Sequence, residues 1–371
     1  MKIGIVVTIL DGFGEKGFYH SQEFGLAKEL VKRGHDVILY KCVYKDKPET
    51  SEKIESENGI FFVDEIPVKN IGAHGIINVS HLDKELDAIV MFSDTQLSVP
   101  KVYKFCKRNG ITFIPYAGIF RSTKKKKAKT RLMDFLFRVR VLPVYRKCPP
   151  VVKTKEAQKE IENMGVPNCK IAHVGLDISK LKTDFRGKDR RALRREYGYT
   201  DDDIVLSFIA KIEPHKRPLD AIEILNTFKD DERVKLIVAG KGFEMADLKN
   251  KVQEYGLTER VQILGKIPYD DIWKIHYISD YYLNLSEIEI FGMAVMEAAF
   301  YESSVCAMKC SPGPKTILDG AEGHKLCNDD DEIVDWIKKG KPDIETLKKS
   351  SKMIATKFSW KRLCEIIEGG G

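Results

Sequence analysis

Short apolar runs alternate with amphipathic stretches along this chain, and they do so in two series. In the first, Lys2 to Leu10 reads as an apolar strand and Phe18 to Arg33 has helical periodicity. Gly34-His35-Asp36 stops that helix, and Val37 to Tyr40 is the next strand. Ala88 to Phe92 and Thr112 to Pro115 are further short buried strands. The second series starts near Asp201, with strands at Ile204 to Ala210, Val234 to Gly240 and Val261 to Leu264. Helices at Leu219 to Phe228 and Glu244 to Tyr255 fall between them. A strand inside Ile278 to Ser286, a helix, and a strand at Ser304 to Met308 complete it. Alternation of this kind predicts an α/β chain with two doubly wound parallel sheets, each covered by helices on both faces. The break is expected near Val174-Gly175-Leu176-Asp177, after which the sequence turns polar and charged. Open sheets of this type bind ligands beyond the carboxyl ends of their strands, so chemistry is expected there.

Length and composition agree. A chain of 371 residues can bury two full cores, and 43% hydrophobic with 32% charged residues describes a soluble globular protein. No apolar run approaches the length of a transmembrane span, and Met1 to Val7 is a strand pattern without a secretory cleavage site, so a cytoplasmic location is expected. The eight cysteines are scattered; Cys306 and Cys310 stand four apart without a histidine cluster, and all read as reduced thiols. The net charge is +7, yet Arg121 to Lys147 alone holds eleven basic residues and one acid, Asp134. One segment carries the whole basic character.

The most informative motif is a pair of glutamates eight positions apart, Glu289 and Glu297, with Phe291-Gly292 between them. At that spacing two acids on a helix lie near one face, about two turns apart. Charged helix residues are most often simply solvated. A loop, a glycine and a helix start, however, offer backbone N–H groups and a positive dipole end to an anion. A carboxylate further along can accept hydrogen bonds from vicinal hydroxyls such as those of ribose. Upstream, Ile278 to Ser286 is a short strand running into the loop; downstream come Ala298-Ala299 and the strand Cys306-Ala307-Met308. Ser286, Glu289, Phe291, Gly292 and Glu297 together resemble the nucleotide-sugar signature of the retaining GT-B glycosyltransferases of the family 4 type. Leu26-Ala27 through Gly34-His35-Asp36-Val37, Val174-Gly175-Leu176-Asp177 and Phe358-Ser359-Trp360 resemble further landmarks of that family, so the likeness spans most of the chain.

The resemblance implies two Rossmann-like domains facing a cleft. Residues 1–175 would be the acceptor side, residues 176–354 the nucleotide-sugar side, and a helix at about 355–368 would pack back on the first domain. It implies a transferase moving a sugar from a UDP- or GDP-sugar to a glycan or lipid-linked acceptor in cell-surface polysaccharide synthesis, with no cofactor and no metal. Lys211 and Lys216, in the loop after the strand ending at Ala210, would neutralise the diphosphate. Lys211 stands where the family has arginine, and lysine lacks the bidentate fork; Arg217 is the neighbour that would compensate. Glu289 and the backbone of Phe291, Gly292, Met293 and Ala294 would hold the donor sugar, Glu297 the ribose, and Ile267 the base. Gly240 in Val238-Ala239-Gly240-Lys241-Gly242 would let backbone approach the nucleotide, or simply form a strand–helix turn. Gly17 would face the donor phosphates; the G-x-G-x-x-G spelled by Gly12, Gly14 and Gly17 is weak as a dinucleotide fingerprint, because no acid ends the second strand. The family's active-site His-Gly is replaced by Tyr116-Ala117-Gly118, which leaves Ala117 at the histidine's place. His35, His74, His81 and His173 read as structural. Asp201-Asp202-Asp203 spells D-x-D but reads as a turn rather than a metal site.

In the basic segment, Arg121, Lys124, Lys125, Lys126, Lys127, Lys129 and Arg131 precede the apolar, aromatic stretch Leu132 to Leu142. That order suits an anionic membrane surface, on the inner face of the membrane, at about 1 kcal/mol per basic residue near the lipid. Nucleic acid is the competing partner, but a base-stacking platform is not evident, and none is expected. Two other functions fit the same architecture: a nucleotide-sugar epimerase, and a non-catalytic relative that binds sugar nucleotide or membrane.

Overall fold

The computed structural model describes residues 1–10, 21–121 and 128–369, the side chains of Ala128 and Lys129 excepted. Gly12, Gly14, Gly17, Lys124, Lys125, Lys126 and Lys127 lie outside the described residues, as does the side chain of Lys129. The described residues form two compact units, the first comprising residues 1–10, 21–121, 128–175 and 359–369, the second Leu176–Phe358.

The first unit is built on β1 (Lys2–Val7), α1 (Gln22–Lys32), β2 (Asp36–Tyr44), β3 (Thr50–Ser56), β4 (Gly59–Ile71), β5 (His74–Ile76), β6 (Ala88–Phe92), α2 (Val99–Asn109) and β7 (Thr112–Ala117). Then follow α3 (Ala128–Leu136), a π-helical turn at Phe137–Val141, α4 (Leu142–Tyr145), β8 (Val151–Val152) and α5 (Lys155–Glu162). The sheet order is β3-β4-β2-β1-β6-β7-β8, with β5 beside β4. The register is parallel between β1 and β2, β1 and β6, β2 and β4, β6 and β7, and β7 and β8. Central strands have no solvent face, and Ile3, Ile5, Ile89 and Val90 are fully buried accordingly. The α1 helix meets them with Leu26, Ala27 and Leu30.

Two features depart from the sequence reading. β3 and β5 run antiparallel to β4, so the sheet is mixed. The segment Thr50–Ser56 gives no apolar run because it is a polar, mostly exposed edge strand. β1 also ends at Val7 rather than Leu10. There the chain turns out of the sheet: Ile9 bridges His74, and Leu10 N–H donates to Ala73 O at 3.0 Å.

The second unit contains α6 (Arg190–Glu196), β9 (Ile204–Ile209), α7 (Pro218–Asn226), β10 (Val234–Ala239), α8 (Met245–Glu254), β11 (Val261–Gly265) and α9 (Tyr269–Ile278). It continues with β12 (Tyr281–Asn284), α10 (Met293–Phe300), β13 (Ser304–Met308), α11 (Pro312–Ile317), β14 (Lys325–Cys327), α12 (Asp330–Ile337) and α13 (Ile344–Lys357). Its six strands are all parallel, in the order β11-β10-β9-β12-β13-β14. Beneath the sheet Arg194 and Asp280, both 3% exposed, form an ion pair of 2.6 Å. Asp280 also takes Arg190 at 3.1 Å and Val205 N–H at 2.9 Å, so the buried carboxylate is fully engaged.

The last helix, α14 (Lys361–Ile367), belongs to the first unit and buries Leu363, Cys364 and Ile367. Glu368 pins its end to the α1–β2 turn, through Arg33 Nη1 at 3.1 Å and His35 Nε2 at 2.9 Å. Trp360 lies so close to Gly175 that a Cβ there would come within 2.5 Å of its ring.

Candidate functional site

In the second unit the carboxyl ends of β9, β10, β11 and β12 carry the residues singled out in the sequence. After β9 the chain makes a 3-10 turn at Pro214–Lys216, and α7 begins behind Arg217. Lys216 Nζ reaches Glu289 Oε2 at 2.5 Å, with each side chain about one-fifth exposed, so two of the three residues expected to be catalytic are in direct contact. Lys211 is exposed on the same loop. Arg217 does not compensate for it: its guanidinium is committed to Asp220 at 2.5 Å and Asp330 at 2.7 Å.

Glu289 is not on a helix, which corrects the expectation of two acids on one helical face. It lies in the loop before α10, and only Glu297 is helical. The reason is Gly292, whose φ of 92° starts the helix three residues after Glu289. That loop is held by hydrogen bonds at several points. Ser286 Oγ donates to His215 O at 3.3 Å and to Ile288 O at 3.1 Å. Ser311 Oγ donates to Ser286 O at 2.6 Å and accepts from Glu289 N–H at 2.9 Å. Gly313 N–H donates to Glu289 O at 2.9 Å, and a Cβ at Gly313 would stand 2.1 Å from Phe291 O. The Phe291 ring is core, 1% exposed and edge-on to Phe358 at 5.9 Å. α10 then begins with no side-chain cap: Val295 and Met296 donate to Gly292 O, and Met293 and Ala294 are half-buried at its first turn. An uncapped helix start above a held loop presents its N–H groups and dipole to an anion or a sugar oxygen.

Gly240 and Gly242 have a structural reason to be glycine. A Cβ at Gly240, φ 146°, would lie 1.8 Å from Ala210 O, and one at Gly242 2.2 Å from Ile212 O. The β10 loop is thus pressed on the β9 loop, and Ile212 N–H donates to Lys241 O at 3.0 Å. Ile267, half-buried, follows β11 on the same edge of the sheet.

Glu297 is 4% exposed and accepts a 2.8 Å hydrogen bond from Tyr269 Oη. It lines a pocket of about 170 Å³ with Lys180, Lys182, Tyr269, Trp273 and Tyr301. Lys211, Lys216 and Glu289 do not line that pocket. Burial first, and then the Glu297 charge, pushes the Tyr269 phenol well above its ordinary value. Behind this group sits His276, fully buried between the Tyr282 and Tyr301 rings and pushed down to about 4 by burial. Its imidazole is therefore neutral. Ser311, Gly313, Tyr269 and His276 escaped the sequence reading. Ser311-Pro312-Gly313 looks like an ordinary helix start, and only the diverted Ser311 hydroxyl shows its second use.

In the first unit, Tyr116 cannot take over from the absent histidine as a free hydroxyl. It is fully buried, and its Oη donates to Ala172 O at 3.1 Å. Ala117 is buried on β7. His35 bonds Glu368, and His173 Nδ1 lies 2.8 Å from Lys153 O. Arg121 is exposed and 3.4 Å from Glu160; Arg131 is exposed on α3. Among the described residues no group of three His, Cys, Asp or Glu could hold a metal ion, and no helix is long and apolar enough to cross a membrane.

Two doubly wound units, the second with a basic loop, a held acidic loop and an uncapped helix at the strand ends, make up the GT-B fold. Residues 189–354, all within the second unit, match the family model "Glycosyl transferases group 1". The chain is 28% identical over 140 residues to the N-acetyl-alpha-D-glucosaminyl L-malate synthase of Bacillus anthracis; this match spans 38% of the chain and 36% of that enzyme. Over its whole length it superimposes on the whole of Anabaena HepE in complex with UDP, with a TM-score of 0.73 at 15% identity. WaaG, a glycosyltransferase involved in lipopolysaccharide biosynthesis, covers 99% of the chain with a TM-score of 0.71 at 14% identity, the match including all of WaaG.

Proposed function

We propose that this chain transfers a sugar, with retention of configuration, from a UDP- or GDP-sugar to a glycan or lipid-linked acceptor. The carrying observation is the Lys216–Glu289 contact beside the uncapped start of α10. Lys216 takes the diphosphate with Lys211, compensating the charge that grows on the leaving group. As Lys216 turns to phosphate it leaves Glu289, whose carboxylate is then available to the sugar hydroxyls. Met293 and Ala294 N–H complete the sugar's surroundings, Glu297 holds the ribose beside Tyr269, and Ile267 backs the base. HepE, which was crystallised with UDP, supports a uridine donor.

The acceptor side rests on α3. Leu132, Phe135 and Val139 are 55%, 59% and 50% exposed at spacings of three and four residues, with Arg131, Arg138 and Arg140 exposed among them. An apolar stripe flanked by cations is the amphipathic surface that lies in an anionic lipid interface. This surface supports a peripheral location, and WaaG's part in lipopolysaccharide biosynthesis supports an acceptor in cell-surface polysaccharide synthesis.

The test is thermal stabilisation by UDP, GDP, ADP and TDP and their sugars, followed by NMR of the product anomer. A ligand at a hundred times its Kd raises stability by about 2.7 kcal/mol. Stabilisation by one nucleotide, diminished in Lys216→Ala, and an anomer matching the donor's are expected. No stabilisation by any of them would sink the transferase reading, and an inverted product would sink retention. Cosedimentation with vesicles of phosphatidylcholine alone or with phosphatidylglycerol tests docking: binding only to the anionic vesicles, lost in Leu132→Ser/Phe135→Ser, is the expected result.

A further inference from the structure

The carboxyl ends of β6, β7 and β8 in the first unit gather polar groups that the donor chemistry does not use. Lys153 follows β8, is 6% exposed, and is joined to β7 by its N–H on Ala117 O at 3.0 Å. Its ammonium lies 5.3 Å from the Phe92 ring centre and 5.1 Å from that of Tyr116. Among the described residues its one hydrogen bond is to Gln22 Oε1, at 3.1 Å. Burial pushes its pKa down, against the charges of Asp94 and Glu23. Asp94, just past β6, stands at φ 34°, where side chains other than glycine are strained. Its Oδ1 accepts from Gly118 N–H at 2.6 Å and Ile119 N–H at 3.4 Å, which fixes the carboxylate, half-exposed, at the sheet's edge.

Among the described residues no carboxylate is in contact with the Lys153 ammonium; a buried charge so placed lowers stability, and so does a left-handed aspartate. Both occur together, at the edge where an open sheet takes its ligand. Glu23 has Lys41 at 3.9 Å, so among the described residues two carboxylates stand with two lysines. Such a site suits an uncharged ligand. Lysine N–H groups donate and a carboxylate accepts, which complements adjacent hydroxyls. We propose that Asp94 and Lys153 bind vicinal hydroxyls of a neutral sugar or polyol acceptor in the first unit. This rests on the transferase reading and names the acceptor chemistry within it.

The experiment is saturation-transfer difference NMR on the full chain, with the nucleotide that stabilises it at saturation so that the second unit's site is filled. The probes are methyl α-glucopyranoside, methyl α-mannopyranoside and myo-inositol, with L-malate and glucose 6-phosphate as anionic counterparts. At least one neutral probe is expected to bind, and its signal to fall at least tenfold in Lys153→Met and in Asp94→Asn. Nucleotide stabilisation should stay unchanged in both, and the Tm of Lys153→Met should hold or rise, since methionine fills the same slot without charge. Neutral binding that survives both variants, or binding of the anionic probes alone, overturns the proposal, as does binding of no probe at all. Should Lys153→Met fail to fold, the lysine is structural and Asp94→Asn decides: retained binding there overturns the proposal. If no nucleotide stabilises the wild type, it is the transferase reading that has failed.

Discussion

Residues in this protein differ sharply in whether they are held by structure or left for a ligand. Asp280 is of the first kind. Removing it strands Arg194 as a buried charge, so Asp280→Ala is expected to lose about 3–5 kcal/mol in urea denaturation. A loss under 1 kcal/mol would mean that water reaches the pair. Lys216 and Glu289 are of the second kind, joined to each other at 2.5 Å at a sheet edge. Lys216→Ala and Glu289→Ala should leave Tm nearly unchanged while transfer falls by about a hundredfold or more; wild-type rates in either variant would remove it from the mechanism. Tyr269→Phe takes a hydrogen bond from the buried Glu297 carboxylate, worth about 1.5–3 kcal/mol for a charged partner. A weakened donor Kd in Tyr269→Phe, read by calorimetry, would place that contact in the binding site.

At the scale of elements, the sequence spoke most clearly where an element is apolar and central. The runs Ala88 to Phe92 and Ser304 to Met308 are strands with those limits, because strands covered on both faces have no solvent side to obscure them. Thr50–Ser56 left no such trace, since its pairing with β4 is made by backbone and its side chains face water. The site was legible only in part. Ser286, Glu289 and Gly292 announce themselves as a local motif, whereas Tyr269 meets Glu297 from 28 positions away and Ser311 meets Glu289 from 22. Spacing along one segment cannot report bonds made by the fold. Loops can be tested as units too. Gly313→Ala would drive a methyl into Phe291 O and shift the acidic loop, so weaker nucleotide stabilisation than in wild type is expected, together with a lower Tm. Equal stabilisation by nucleotide would show that the loop tolerates displacement.

For the molecule as a whole, the C-terminal helix makes stability depend on pH. The Glu368 carboxyl is held below its ordinary value of 4.5, chiefly by the hydrogen bond from His35. The folded state therefore favours the ionised form. This contribution is complete above about pH 4.5 and is lost as pH falls through the lower, folded value. Hydrogen exchange should show α14 losing protection in that acid range, and Glu368→Gln should show weakened protection already at neutral pH. Protection in Glu368→Gln equal to wild type at neutral pH would mean that burial of Leu363, Cys364 and Ile367 alone secures the helix.

The path of the chain has a consequence for how the protein is made. The polypeptide leaves the first unit at Gly175 and re-enters it at Ser359, with Leu176 N–H bonded to Phe358 O at 2.9 Å on one side of the crossing and Trp360 against Gly175 on the other. On a ribosome the first unit emerges early but cannot close until α14 follows, some 180 residues later. The second unit, whose described residues run without a break from Leu176 to Phe358, has all its strands available before that. The domain begun first is thus finished last, and during synthesis the surface of α1 and the α1–β2 turn awaiting α14 is the part of the nascent chain that chaperones would have most reason to guard.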